Sequence, residues 1–286
     1  MVTLGLIGRG AWARIIGATL DTLPDTRWVP LSGPGVFVDG VIIANRSKDH
    51  VSSALPFVEA GVACFIEKPL ATSIEDFLRL KAAAAAAGGH VFAGHLHRFN
   101  PAAEAFCAAL PEIGPIQSAT AFCANGKPRD DTSVIWDWLP HPLSLAAQIF
   151  GTPAERATAR SLEGGARPFR VAAQLSYQGR PFDLEASWVS PVPAFRIVAT
   201  GTKGRLILDD KASHKVTFMR DGNSVAVAHD LELPLTRELR AFVDLIRGVR
   251  DNPSPLYAAE EVLRSLDAIE RSAAAEGAPV EINWPV

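Results

Sequence analysis

The sequence has few cysteines, no long apolar run and no strong excess of either charge, and each absence excludes a class of protein. Three cysteines occur among 286 residues, without paired or Cys-x-x-Cys spacing, which argues against a disulfide framework or a structural zinc site. No apolar run approaches the ~18 residues that a membrane span needs. The net charge of -3 argues against a broad nucleic-acid surface. The N-terminus lacks a basic segment followed by a cleavage site, so we expect a cytoplasmic protein with neither membrane nor nucleic-acid partners.

The hydrophobic pattern changes character near Ile113. Before this point short apolar runs alternate with helical segments, and the runs lie at 2–7, 41–44, 63–66 and 91–93. After it, strand-like segments with alternating polarity dominate, and two helical segments close the chain. This order predicts an α/β protein: a doubly wound parallel-sheet Rossmann domain at 1–113, followed by an α+β domain with a largely antiparallel sheet at 114–286.

A glycine loop joins the first predicted strand to its helix. It reads Gly8-Arg9-Gly10-Ala11-Trp12-Ala13, a GxGxxA pattern typical of dinucleotide sites. Gly8 permits a tight turn, Gly10 lets the backbone approach a pyrophosphate, and Ala13 lets helix and strand pack closely. The first amides of the helix face the anion. The pattern by itself is weak, because glycines often mark ordinary strand-to-helix turns.

A second motif, Glu67-Lys68-Pro69-Leu70, follows the third apolar run. Ligands of open α/β sheets bind at the carboxyl ends of the strands, which is where this motif falls. A cationic Lys68 can hold a substrate hydroxyl or carboxylate there. The ordinary alternative is a solvated Glu-Lys pair on the surface.

A third motif is Trp136-Asp137-Trp138-Leu139-Pro140-His141-Pro142. The two prolines argue against one helix that carries Asp137 and His141 on a shared face. We predict instead that Pro142 is the first helical residue and that His141 lies just before it. A helix N-terminus disfavours imidazolium, so a neutral His141 can act as a general base that Asp137 orients. The alternative is a capping histidine with a structural aspartate.

In this order and spacing, the motifs resemble the Gfo/Idh/MocA family of NAD(P)-dependent oxidoreductases. The resemblance extends to VIIA followed by His50, GHLHRFNP at 94–101, ELRAFVDLIRG and AAEEVLRSLDAIERSA. It implies hydride transfer between a nicotinamide cofactor, NAD or NADP, and a carbinol or carbonyl carbon of a sugar, cyclitol or related polyol. It also implies a homo-oligomer, either a dimer or a tetramer, formed through the C-terminal sheet.

The resemblance also implies roles for individual residues. Lys68 would contact the reacting hydroxyl, and His141 would be the acid/base with Asp137 beside it. Arg98 and Asn100 match the segment that closes the substrate pocket. The implied cofactor residues are Gly8, Arg9, Gly10, Ala11, Trp12, Ala13, Asn45, Glu67 and Lys68. No metal site is expected.

The predicted Rossmann domain is shortened. An acid for the adenosine ribose is expected about 20 residues after the glycines, but residues 28–35 contain no acid and no arginine for a 2′-phosphate, although Arg9 lies in the glycine loop. The stretch between a second strand at 28–32 and Val41 is shorter than the roughly ten to twelve residues of a parallel crossover. An αβ unit is therefore missing, and Gly33-Pro34-Gly35 should form a short hairpin or loop. Asp39 precedes its strand, so it cannot replace the acid.

Two other functions fit parts of the sequence. A non-catalytic relative that kept the pocket and lost the adenosine site would explain the short 28–40 segment. A metal-dependent hydrolase would use His95 and His97 with Asp137 and His141, because a His-x-His pair on a strand directs both rings to one side. Nucleotide binding discriminates the first alternative from an enzyme, and metal analysis discriminates the second.

Overall fold

The structure, a computed structural model, describes residues 1–165 and 167–284 and contains two compact units. The first unit comprises Met1–Phe99 and Glu232–Leu263, and the second comprises Asn100–Leu231 and Arg264–Val286. These units differ from the predicted domains, since the chain leaves the first unit before Ile113 and returns to it near the C-terminus.

The helices and strands agree with the sequence pattern over most of the chain. The first part contains β1 (Val2–Ile7), α1 (Ala11–Leu20), β2 (Thr26–Leu31), β3 (Gly40–Ile43), α2 (His50–Glu59), β4 (Ala63–Glu67), α3 (Ile74–Ala87) and β5 (Val91–Gly94). Then follow α4 (Pro101–Ala109), β6 (Ile116–Ala124), α5 (Val134–Trp138), α6 (Pro140–Phe150), β7 (Arg156–Glu163), β8 (Arg170–Tyr177) and β9 (Arg180–Ser187). The chain continues with β10 (Ala194–Gly201), β11 (Gly204–Asp209), β12 (Val216–Arg220), β13 (Asn223–Ala226), α7 (Pro234–Ile246), α8 (Leu256–Ala274) and β14 (Val280–Glu281).

The first unit is built on a five-stranded parallel sheet in the order β2-β1-β3-β4-β5. Strands β3, β4 and β5 are buried along their whole length, as expected for a parallel sheet covered on both faces. The strand order reverses direction between β1 and β3, and ligands of doubly wound sheets bind at such a switch point. The predicted doubly wound fold is therefore confirmed.

The connection from β2 to β3 is unusually short. Residues 32–39, all of them described, contain no helix, yet they carry the chain from one side of β1 to the other. At its end the Asp39 carboxylate accepts a hydrogen bond from the Thr3 amide at 2.7 Å, at the amino edge of the sheet. The prediction of a loop is confirmed, and a hairpin is excluded because β3 pairs with β1 in parallel rather than with β2.

Local capping signals fix the ends of α2 and α3. The Ser73 hydroxyl accepts a hydrogen bond from the Asp76 amide at 3.1 Å, which caps the start of α3. Gly88 ends that helix in the left-handed conformation, and Gly61 adopts a positive φ just after α2. The alanine-rich segment is thus an ordinary helix between two caps.

Helix α7 completes the first unit because its apolar face packs on the parallel sheet. Phe242 lies edge-on to Phe65 and to Phe92, with ring centroids 5.7 Å away in each case. Phe65 and Phe92 are themselves stacked at 5.2 Å, and Phe99 stacks on Phe92 at 5.5 Å. Burial of several aromatic rings supplies a large part of the stability of such a core.

The second unit contains a nine-stranded sheet in the order β13-β12-β11-β10-β6-β9-β8-β7-β14. Strands β6 and β9 pair in parallel, whereas the other strand pairs described in this sheet are antiparallel. This confirms the prediction of a largely antiparallel sheet. None of the described helices combines the length and apolar character that a bilayer crossing requires.

Candidate functional site

The glycine loop lies at the switch point of the parallel sheet. Gly8 adopts a φ of 151°, and a Cβ atom there would lie 2.4 Å from the Ala44 carbonyl oxygen and 3.0 Å from the Ala13 Cβ. The close approach of β1, β3 and α1 therefore requires glycine at this position. At Gly10, in contrast, a Cβ would meet no described atom within 4 Å. The two glycines thus serve different purposes, one inside the fold and one toward open space.

The N-terminus of α1 presents free amides to that open space. Gly10 is its N-cap, and among the described residues no side chain caps the helix and no acid lies in its first turn. The first amides of a helix have no partner within the helix itself, and the helix dipole favours an anion there. Ala11 and Trp12 are exposed in this turn while Ala13 is buried against the sheet. The loop therefore fits a pyrophosphate, as predicted for a dinucleotide cofactor.

His50 connects two segments of this edge. Its Nδ1 lies 2.8 Å from the Pro69 carbonyl oxygen, and its Nε2 lies 3.4 Å from the Asn45 carbonyl oxygen. Asn45 also donates from Nδ2 to the Ser53 hydroxyl at 2.8 Å, while its buried Oδ1 has no hydrogen-bond partner among the described residues. An unpaired buried acceptor is costly unless a ligand or water satisfies it. Asn45 is thus well placed to accept from a cofactor.

Glu67 and Lys68 lie at the carboxyl end of β4. Glu67 is only 6% exposed, and its Oε2 accepts a hydrogen bond from the Lys68 amide at 3.2 Å. Lys68 is half-buried and precedes Pro69 through a cis peptide bond. A solvated surface pair does not describe these two side chains. The sheet instead holds a cation beside a buried acid at the edge where ligands bind.

His95 follows β5 at the same edge and is only 4% exposed. Burial lowers its pKa to about 3, with help from the positive charges of Arg98 and Lys68, so the imidazole is neutral at physiological pH. Arg98 donates to the Pro253 carbonyl oxygen at 3.3 Å, within the same unit. Across residues 1–165 and 167–284, no three His, Cys, Asp or Glu side chains are arranged to hold a metal ion. The hydrolase hypothesis therefore has no support from the geometry of the described residues.

Glu238 is a buried acid of this unit that begins the ELRAFVDLIRG segment and had no role assigned from the sequence. It lies on α7, is 0% exposed, and neither carboxyl oxygen has a hydrogen-bond partner among the described residues. Burial raises the pKa of Glu238 well above its usual range, and the neighbouring Glu67 carboxylate raises it further. Its signal in the sequence was position, because it shares a helical face with Leu235 and Phe242.

The titration of Glu238 predicts a specific pH dependence of stability. A carboxyl group whose pKa is raised in the folded state stabilises the fold at low pH, and this contribution is lost as pH rises through the raised pKa. Glu238→Gln removes the titration. We expect the variant to gain stability relative to the parent as pH rises above about 5, by at most ~1.4 kcal/mol per pH unit.

The test is urea denaturation at several pH values, with Glu59→Gln as the control. Glu59 is exposed at the end of α2, so the same chemical change there should leave the pH profile of the parent unaltered. Parallel profiles for the parent and Glu238→Gln would contradict the raised pKa.

In the second unit, α5 and α6 carry the third motif. Helix α6 begins at Pro140, so the prediction that Pro142 is the first helical residue is wrong. Residues 134–150 are helical except at Leu139, which joins the two helices in a helical conformation. The prolines are tolerated because residues of a first helical turn have no amide partner to lose. His141 therefore lies inside the first turn of α6 rather than before it.

Asp137 is held by two side chains that the sequence did not point to. Its Oδ2 accepts from the indole nitrogen of Trp188 at 3.0 Å, and its Oδ1 accepts from Arg129 at 3.4 Å. Arg129 also pairs with Asp131 at 2.9 Å. The His141 ring lies edge-on to Trp138, with centroids 5.5 Å away. Trp188 is far from Asp137 in sequence, and Arg129 lies on a loop. No local pattern therefore identifies either residue as a partner of Asp137.

Asn100 occupies a different position from the other predicted pocket residues. It is the N-cap of α4, and its side-chain oxygen accepts from the Ala102 amide at 2.9 Å. Asn100 belongs to the second unit, whereas Arg98 belongs to the first. Its role in a substrate pocket stays a prediction, and the geometry gives it a capping role as well.

Comparison with known proteins identifies relatives of both units. Residues 31–95 match the family model described as "Oxidoreductase family, NAD-binding Rossmann fold", GFO_IDH_MocA. A D-xylose 1-dehydrogenase (NADP(+)) of Haloferax volcanii is 26% identical over 268 residues, covering 86% of this chain and 81% of that protein. An inositol 2-dehydrogenase of Saccharopolyspora erythraea is 41% identical over 64 residues, which are 22% of this chain and 19% of that protein.

Solved structures agree over nearly the whole chain. A protein from Magnetospirillum magnetotacticum MS-1 is 28% identical with a TM-score of 0.85, covering 93% of this chain and 99% of that chain. The fold of UDP-N-acetylglucosamine 3-dehydrogenase from Acidithiobacillus ferrooxidans also matches, with a TM-score of 0.85, 21% identity and coverage of 96% and 98%. The shortened crossover is therefore compatible with the fold that these structures share.

Proposed function

We propose that this chain is an oxidoreductase of the Gfo/Idh/MocA family and that it transfers a hydride between NAD or NADP and a carbon of a sugar, cyclitol or related polyol. The observation that carries the proposal is the open glycine loop. Gly8 is required by the packing, whereas Gly10 borders open space beside free helix amides at the switch point of the sheet. Relatives that act on D-xylose and inositol favour the polyol class.

The cofactor would lie along the carboxyl edge of the parallel sheet. The amides from Gly10 to Ala13 would bind its pyrophosphate, and the unpaired Oδ1 of Asn45 would accept a hydrogen bond from it. Glu67 would line the site from the end of β4. When bound, the nicotinamide supplies the hydride acceptor or donor. The chain itself positions this group and excludes water around it.

Lys68 and His141 would act on the substrate. In the oxidation direction, a bound nicotinamide would supply the acceptor for the hydride of the carbinol carbon, and the proton of the substrate hydroxyl would pass to a base of the protein. The Lys68 ammonium would donate a hydrogen bond to that hydroxyl oxygen and stabilise negative charge on it. A neutral His141 would take the proton, and Asp137, itself held by Trp188, would orient the base. In reduction the same residues return the proton.

A non-catalytic relative is the second candidate, and the contacts favour it less. The missing αβ unit leaves Lys68, Asp137 and His141 in place and leaves the glycine loop open. The uncapped amides after Gly10 border open space that a nucleotide pyrophosphate would fill. The curated relatives are also named as dehydrogenases.

Titration with NADH and with NADPH tests the proposal. Trp12 is 37% exposed in the first turn of α1, so nucleotide binding should quench its fluorescence. The nicotinamide emission gives an independent reading. Trp12→Phe should remove most of the tryptophan quenching, and the nicotinamide emission of the same variant then shows how far the Trp12 indole itself contributes to binding. We expect saturable micromolar binding of at least one nucleotide, and the absence of any binding at millimolar concentration would overturn the proposal.

A further inference from the structure

We infer that the adenosine end of this site takes a 2′-phosphate, so that the chain uses NADP and NADPH in preference to NAD and NADH. The inference rests on the proposed function, since it concerns the same cofactor. It goes beyond that function because it says that the group recognised beside the short 28–40 segment is a negatively charged 2′-phosphate rather than a neutral hydroxyl. Three observations carry it: the position of the end of β2, the placement of the nearby carboxylates, and the arginines at and just after the glycine loop.

The register of the sheet places the end of β2 beside the glycine loop. Ile7 pairs with Leu31 on one side and with Ile43 on the other, so β1, β2 and β3 end at the same level. Ser32 and Gly8 therefore leave neighbouring strands together. In dinucleotide folds the adenosine ribose lies over this end of the second strand. Whatever follows β2 must face the 2′ position of the ribose.

The carboxylates near β2 lie at the opposite edge of the sheet. Residues 26–38 contain no Asp or Glu, and the flanking acids are Asp25 and Asp39. The Asp25 carbonyl accepts from the Val2 amide, and the Asp39 carboxylate accepts from the Thr3 amide, both at the start of β1. Six strand residues separate this edge from Ser32, which is roughly 20 Å. Neither acid can hydrogen-bond the 2′-hydroxyl, and neither repels a phosphate placed there.

Two guanidinium groups lie on the loop side of the site. Arg9 is exposed between the two glycines, and Arg14 donates from Nη1 to the Arg9 carbonyl oxygen at 3.2 Å. Guanidinium groups bind phosphate through charge-assisted hydrogen bonds. On the strand side, Ser32 is exposed, and a Cβ on Gly33 would meet no described atom within 4 Å. The segment after β2 is therefore open at Ser32 and Gly33, and the glycine loop exposes Arg9.

The distribution of charge decides between the two nucleotides. An NAD-specific site places an acid on the 2′-hydroxyl, and the acid would repel a 2′-phosphate. Here Ser32 rather than an acid follows β2, and the adjacent glycine loop carries Arg9. We therefore expect NADPH to bind roughly tenfold to hundredfold more tightly than NADH at low salt, with the difference shrinking as ionic strength rises.

Dissociation constants of NADPH, NADH, 2′,5′-ADP and 5′-AMP test the inference directly. The two adenosine fragments isolate the 2′-phosphate from the rest of the cofactor. Arg9→Gln should lower the affinities for NADPH and 2′,5′-ADP about tenfold and leave the affinities for NADH and 5′-AMP unchanged. Ser32→Asp should lower the affinity for NADPH and raise the affinity for NADH relative to the parent, because it places a carboxylate near the ribose 2′ position.

Arg27→Gln is the matched control. Arg27 lies at the amino end of β2, where it donates to the Thr3 hydroxyl at 2.7 Å, so its loss should not change the ratio of the two affinities. Equal or tighter binding of NADH by the parent, or no selective effect of Arg9→Gln, would overturn the inference and leave the proposed function standing. Failure of all four ligands to bind would overturn the proposed function itself.

Discussion

His141→Ala is expected to lower kcat about 10²- to 10⁴-fold while the fold is retained. Loss of a positioned general acid/base typically has an effect of this size. The side chain is half-buried in the first turn of α6 and lies edge-on to Trp138, so its removal leaves a small gap rather than a broken helix. Turnover should be measured by nicotinamide absorbance with NAD and NADP, on a polyol panel that begins with D-xylose and inositol.

The controls distinguish chemistry from folding. His214 is exposed in the same unit, and His214→Ala should retain full turnover. Added imidazole should restore part of the activity of His141→Ala, because a free base can replace the missing one, whereas a purely structural loss would not respond. Unaltered turnover in His141→Ala would move the acid/base role to another residue.

Gly8→Ala and Gly10→Ala are expected to fail in different ways. At Gly8 the new methyl group would lie 2.4 Å from the Ala44 carbonyl oxygen, in a backbone conformation that alanine rarely adopts. We expect the free energy of unfolding to fall by about 1–3 kcal/mol or more, from strain and overlap together. At Gly10 the methyl group meets no described atom, so the fold should keep its stability.

The second glycine should matter to the nucleotide instead. A methyl group on Gly10 would occupy the space through which the pyrophosphate approaches, and we expect at least a tenfold loss of nucleotide affinity. Urea denaturation measures the first effect and nucleotide titration measures the second. Unchanged affinity in a well-folded Gly10→Ala would show that the cofactor does not use this loop.

Local signals in the sequence predicted most of the first unit. Ser73 and Gly88 were identifiable as caps because capping depends on residues only a few positions apart. The parallel strands were identifiable because they are apolar along their whole length. In contrast, β7 reads Arg-Ala-Thr-Ala-Arg and alternates small with charged residues, so its hydrophobic signal is weak. Its alternation becomes visible only when buried Ala157 and Ala159 are known to face the core.

Long-range packing was not predictable in the same way. The sequence shows that α7 is amphipathic, but an apolar face does not say which sheet it covers, and the helix was assigned to the second domain. The partners of the Glu67 and Asp137 side chains could not be predicted for the same reason. The location of Glu67 at the end of a strand was predicted, whereas Asp137 lies inside α5, a helix that was not predicted. The burial of Glu67 beside Glu238 and the bond from Trp188 to Asp137 depend on segments far along the chain.

The divided first unit has a consequence for synthesis on the ribosome. Phe65 and Phe92 emerge early, but Phe242, which packs on both, is translated 143 residues after Phe99 (242 − 99). At typical elongation rates of ~5–20 residues per second, this delay is roughly 7–30 s. During that interval the nascent chain exposes an aromatic surface that its own helix later covers. We expect the growing polypeptide to depend on ribosome-associated chaperones until that helix leaves the exit tunnel.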